Sequence, residues 1–149
     1  MFVKTSAVPV LDFGNAYHAA DNVGALLTFA VATGVTGPRG ATIRRLSVID
    51  ADIEDAELWL HLFTASPAAG CRTDDAAYLP IAADLVLKIC SFHIPAADYD
   101  TGASDSIATY ELDTAIVFDG LNIYGVLECV GTPTYTAVDD LTVNLIVEV

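Results

Sequence analysis

Residues 141–149 read LTVNLIVEV, and their apolar positions recur every second residue. Leu141, Val143, Leu145, Val147 and Val149 fall on one side, with Thr142, Asn144 and Glu148 on the other. Successive side chains of a strand point to opposite faces, so this period marks a strand with one buried face. Residues 57–63 (ELWLHLF) carry the same period with bulk on both sides: Leu58, Leu60 and Leu62 on one, Trp59, His61 and Phe63 on the other. Such a segment predicts a central strand covered on both faces.

Further strands are expected on either side of these two, over residues 41–49, 86–94, 107–110, 115–118 and 122–130. Residues 23–31 form another apolar run. In residues 41–49, Ile43, Leu46 and Val48 are apolar, but Arg44 and Arg45 interrupt the alternation. Residues 34–40 (GVTGPRG), 50–55, 66–75, 95–106 and the Gly131-Thr132-Pro133 step supply turn chemistry. Residues 78–85 read as a short helix or turn. About eight short strands without long amphipathic helices between them predict an all-β, antiparallel sandwich. The Cys…Trp…Cys spacing of immunoglobulin domains is missing, so the expectation is a jelly roll. One domain is expected to fill residues 1–149.

The chain has 149 residues, a hydrophobic fraction of 54% and a formal net charge of −14. So many apolar residues in one domain-sized chain imply contact with another chain, and a homo-oligomer is expected. All six basic residues, Lys4, Arg39, Arg44, Arg45, Arg72 and Lys88, precede residue 89. A chain this acidic is repelled by phosphate backbones and anionic lipid, so neither nucleic acid nor membrane is an expected partner. Pro9, Asp12 and Asn15 interrupt any apolar leader core, and no run is long enough for a spanning helix.

The motifs of common chemistries fail at identifiable positions. A calcium loop starting at Asp50 would need Gly at its sixth position and Glu at its twelfth; the chain has Asp55 and His61 there. Asp98, Asp100 and Asp105 form a second acidic turn of the same kind. His18, His61 and His93 are tens of residues apart, without the clustered spacing of a metal-binding jelly roll. Cys71, Cys90 and Cys129 form no CxxC pair and read as free, buried thiols. There is no GxSxG elbow, and GVTGPRG lacks the GK[ST] of a phosphate loop. The expectation is a non-enzyme without metal or cofactor. The clustered Arg39, Arg44 and Arg45 are the candidate partner-contact residues, since guanidinium groups suit acidic surfaces.

Four stretches, taken in order, resemble the capsid decoration (cement) proteins of tailed bacteriophages. The first is residues 17–29 (YHAADNVGALLTF). The second is Gly40 followed by Ile43, Leu46, Val48 and Asp50. The third is residues 58–67 (LWLHLFTASP). The fourth joins Ile123-Tyr-Gly-Val-Leu127, the GTPTY turn of residues 131–135, and residues 139–147. The resemblance implies a jelly-roll-like dimer or trimer on the outer surface of the virion, made in the host cytoplasm and bound to the major capsid protein. It lends no catalytic residues. A carbohydrate-binding jelly-roll module and a tail or adaptor protein of the virion are the alternatives.

Overall fold

The structure, a computed structural model, describes residues 1–31 and 38–149. The expected loop over residues 34–40 therefore lies largely outside the described residues. The strands are β1 (Phe2–Ala7), β2 (Leu27–Ala30), β3 (Arg39–Asp50), β4 (Leu58–Phe63), β5 (Lys88–Ile94), β6 (Asp100–Thr101), β7 (Ser106–Phe118), β8 (Asn122–Cys129) and β9 (Leu141–Glu148). A six-residue helix, α1 (Ala82–Leu87), leads directly into β5.

Two antiparallel sheets form, with strand orders β1-β9-β3-β7-β6 and β2-β8-β4-β5. Leaving aside the two-residue β6, each sheet has four strands, and the chain repeatedly crosses between the sheets. That connectivity is a jelly roll, the form of sandwich expected once the immunoglobulin spacing is missing.

The core lies between the sheets. Ile43, Leu46 and Val48 of β3 and Val143, Leu145 and Val147 of β9 face Leu58, Leu60 and Leu62 of β4 across it, all fully buried. Truncating one of these leucines to Ala is worth about 2–5 kcal/mol. The opposite side of β4 is also covered: His61, Phe63 and the neighbouring Val126 of β8 are all buried. The cover is an excursion, residues 64–87, between β4 and β5.

Asp84, itself buried, organises that excursion. Its carboxylate accepts the amides of Ala68 (2.7 Å) and Ile81 (2.9 Å) and the Cys71 thiol (3.3 Å). The two amide donors hold its carboxyl below the usual carboxylate range. Gly70 packs so closely on the excursion that a Cβ there would lie 2.9 Å from the Leu79 carbonyl oxygen.

Three local expectations change. The segment over residues 78–85 is an extended approach followed by α1, and the strand expected from residue 86 starts at Lys88. The strands expected over residues 107–110 and 115–118 are one 13-residue strand, β7. β1 is not among the expected strands; of its six residues only Thr5 and Ala7 are buried, so it lacks an apolar period. The break at Arg44 and Arg45 has a clear structural cause. The register against both β7 and β9 shifts between Ile43 and Arg45, a β-bulge that turns two consecutive side chains outward.

Candidate functional site

The three arginines do not form one patch. Arg39 opens β3 opposite Phe118, on the inward parity of Ala41 and Ile43, and is half-buried. The bulge puts Arg44 and Arg45 together on the outer face. Arg44 Nε donates to Glu148 Oε2 (2.7 Å), and its guanidinium also pairs with Asp113. Arg45 Nε donates to Glu111 Oε1 (2.6 Å). These acids stand on the flanking strands β7 and β9, so each guanidinium is already matched within the chain. The pairs are solvent-exposed, with side chains 40–80% accessible for Arg44–Asp113 and 48–70% for Arg45–Glu111. Exposed pairs hold weakly and exchange partners readily. Arg45 also borders a depression of about 360 Å³ on this face, floored by Ile49, Ile107 and Ile146 and flanked by Lys4.

The histidines also separate. His61 and His93 share the outer face of the four-stranded sheet, but each has its own carboxylate. His61 Nε2 is 2.8 Å from Glu128 Oε2 and its Nδ1 is 2.8 Å from Ser91 Oγ. His93 Nε2 is 2.7 Å from Glu57 Oε1. Tyr78 stacks on His61 with ring centroids 4.4 Å apart, and Trp59 stacks on His93 at 4.6 Å. Burial lowers the His61 pKa, and the Glu128 hydrogen bond only partly opposes it. His18 lies elsewhere, in the β1–β2 loop, with Asp21 and Asp75. Among the described residues, these three form the group whose side-chain donor atoms come close enough to share an ion. Sequence spacing concealed it, because Asp75 is more than fifty residues from Asp21.

Both acidic turns serve mainly as acceptors for amides and hydroxyls. Asp50 is fully buried and accepts the amides of Asp52 and Asp55, each at 3.0 Å. Burial pushes its carboxyl up despite those bonds. Asp52 and Glu54 accept the amides of Thr136 (2.9 Å) and Thr134 (3.0 Å), which ties this turn to the GTPTY turn. In the second turn Asp98 accepts the Tyr110 hydroxyl at 2.8 Å. A wide groove of about 410 Å³ beside the first turn carries Glu54, Asp55 and Glu57 and has no basic side chain in its lining.

All three cysteines are free. Burial pushes the Cys71 thiol up to about 12, helped by the neighbouring Asp84 carboxylate, and the Cys90 and Cys129 thiols up to about 11. Thiols so shifted stay protonated at neutral pH.

The least expected surface is on the excursion. Leu79, Ile81, Leu85 and Val86 are 65%, 55%, 56% and 85% exposed within one eight-residue stretch. Helix α1 cannot bury them, because its buried anchor is the polar Asp84. The helix or turn expected over residues 78–85 and the strand expected from residue 86 give no sign of this exposure. Against family models, curated proteins and solved structures, the chain finds no match in any of the three comparisons.

Proposed function

We propose that this chain is a capsid decoration protein: it binds the outer surface of a tailed-phage head and stiffens the shell by bridging major capsid subunits. The observation that carries this reading is the exposed Leu79, Ile81, Leu85 and Val86 stretch on a jelly roll. Exposed aliphatic side chains held by a rigid frame suit burial against another protein. The ordered resemblance of four stretches to that protein class supplies the partner. The outer-face arginines offer a second contact, since their exposed intrachain pairs can be exchanged for acids on a shell. Many copies, each bound weakly, would together resist internal pressure through multivalency.

The test uses virions whose decoration gene is deleted or carries Leu85→Asp with Val86→Asp. Deletion is expected to lower the temperature at which heads rupture, and added wild-type protein to restore it. The double variant is expected to fold normally but fail to restore it. An unchanged rupture temperature on deletion, or full rescue by the double variant, overturns the proposal.

A further inference from the structure

The β1–β2 loop and the excursion bring one histidine and two aspartates to a single point. The donor atoms of His18, Asp21 and Asp75 all lie within 4.8 Å of one another. His18 Nδ1 stands 3.4 Å from Asp21 Oδ2, an oxygen that also accepts the His18 backbone amide at 2.9 Å. The ring-to-carboxylate separation is long for an N–H···O hydrogen bond. It matches the ligand-to-ligand edge, about 3.4 Å, of a tetrahedral ion with nitrogen and oxygen ligands at about 2.0–2.1 Å. Two carboxylates this close repel, and among the described residues no lysine or arginine pairs with either. The chain's net charge of −14 sharpens that need for a cation.

The backbone beneath the three side chains is already fixed. Asn22 N donates to Ala76 O (2.8 Å), Asp75 N to Asn22 O (3.1 Å) and Tyr78 N to Ala20 O (2.8 Å), which clamps the loop to the excursion. The Cys129 thiol donates to His18 O (2.9 Å), and Ala20 N donates to Cys129 O (2.8 Å), which pins the same loop to β8. Ligands offered from such a frame need little ordering on binding. The Asp21 side chain is 12% accessible, whereas that of His18 is 85% accessible, so the site opens to solvent on one side.

We propose that His18, Asp21 and Asp75 bind one divalent transition-metal ion, zinc being the best fit, with water as the fourth ligand. The imidazole nitrogen favours zinc over calcium or magnesium, and the two carboxylates balance the charge of the ion. The ion cross-links the β1–β2 loop to the segment that presents Leu79 to Val86. Binding to the folded state alone then stabilises the protein. This site does not depend on the capsid reading and is tested on the isolated chain.

The experiment titrates zinc chloride into the purified full-length protein, wild type and His18→Ala and Asp75→Asn variants, by calorimetry and thermal unfolding. Both substituted side chains are exposed, so the fold is not at stake. One equivalent of zinc is expected to bind and raise the Tm, with each variant weakening binding roughly tenfold or more. Cobalt(II) in place of zinc is expected to give the intense visible bands of a tetrahedral site without a thiolate charge-transfer band. Lack of uptake, uptake unaltered in both variants, or a thiolate band pointing to the cysteines would overturn the proposal. So would calcium raising the Tm of His18→Ala as far as zinc raises that of the wild type.

Discussion

His61 is held between Glu128 and Ser91 with the Tyr78 ring stacked over it, its plane only 7° from that of the imidazole. Tyr78 belongs to the excursion and His61 to β4, so this stack fastens the cover to the sheet beneath. The charge state of one buried imidazole therefore bears on one of the cover's attachments, beside its backbone ties to the β1–β2 loop.

Burial sets the folded His61 pKa below that of the unfolded chain, which is near 6.5. Between those two values the unfolded chain holds more protons, so stability rises with pH. The contribution is complete above about pH 6.5 and is lost as pH falls through the folded value. Asp50 acts oppositely: its raised pKa means that, as pH falls, the folded state takes the proton before the unfolded chain does, which relieves its burial cost. Urea midpoints measured near neutrality and about one pH unit below 6.5 should fall for the wild type. His61→Gln should flatten that fall, and an equal fall in the variant would show that His61 does not titrate as described.

Gly125 faces inward on β8, and a Cβ there would lie 2.9 Å from the Phe29 ring and 3.3 Å from Leu60. Both neighbours are fully buried, so neither can give way freely. Gly125→Ala should cost about 1–3 kcal/mol through overpacking. Gly131→Ala, whose added Cβ meets nothing within 4 Å, should stay within about 0.5 kcal/mol of wild type. Chemical denaturation of the two variants side by side checks this.

Thiol reactivity reports on the same packing. With Cys71 pushed up to about 12 and the other two thiols to about 11, iodoacetamide at mildly alkaline pH should label the native chain slowly. The rate should be about a hundredfold or more below that of the urea-unfolded chain. Mass spectrometry over time resolves the three sites, and fast native labelling of Cys71 would contradict its burial against Asp84.

Arg45→Ala removes an exposed pair with Glu111, and its effect on stability should stay below about 0.5 kcal/mol. If Arg45 also meets an acidic partner, the variant should bind shells more weakly and with less dependence on salt. Denaturation and co-sedimentation at two salt concentrations separate these effects.

The apolar period of residues 141–149 made β9 readable directly, and the doubled bulk of residues 57–63 announced a strand buried on both sides. The interruption at Arg44 and Arg45 was visible too, although its meaning as a bulge needed the register of β7 and β9. Where the pattern failed, side chains were not sorted simply by polarity. β1 turns Thr5 inward, and the middle of β7 alternates half-buried Tyr110, Leu112 and Thr114 with exposed Glu111 and Asp113, which made one strand read as two. The exposed stretch from Leu79 to Val86 was unreadable because apolar residues are normally assigned to the interior. The His18, Asp21 and Asp75 cluster exists only after two distant loops pair.

In the five-stranded sheet β9 lies between β1 and β3, so the first strand of this chain is bound to the third only through the ninth. On the ribosome, β1 and one side of β3 must wait, with their backbone amides and carbonyls unmatched, until β9 has been made. Completion of this sheet thus follows the synthesis of β9, and slow emergence of that strand lengthens the interval in which a nascent chain can pair with the wrong neighbour.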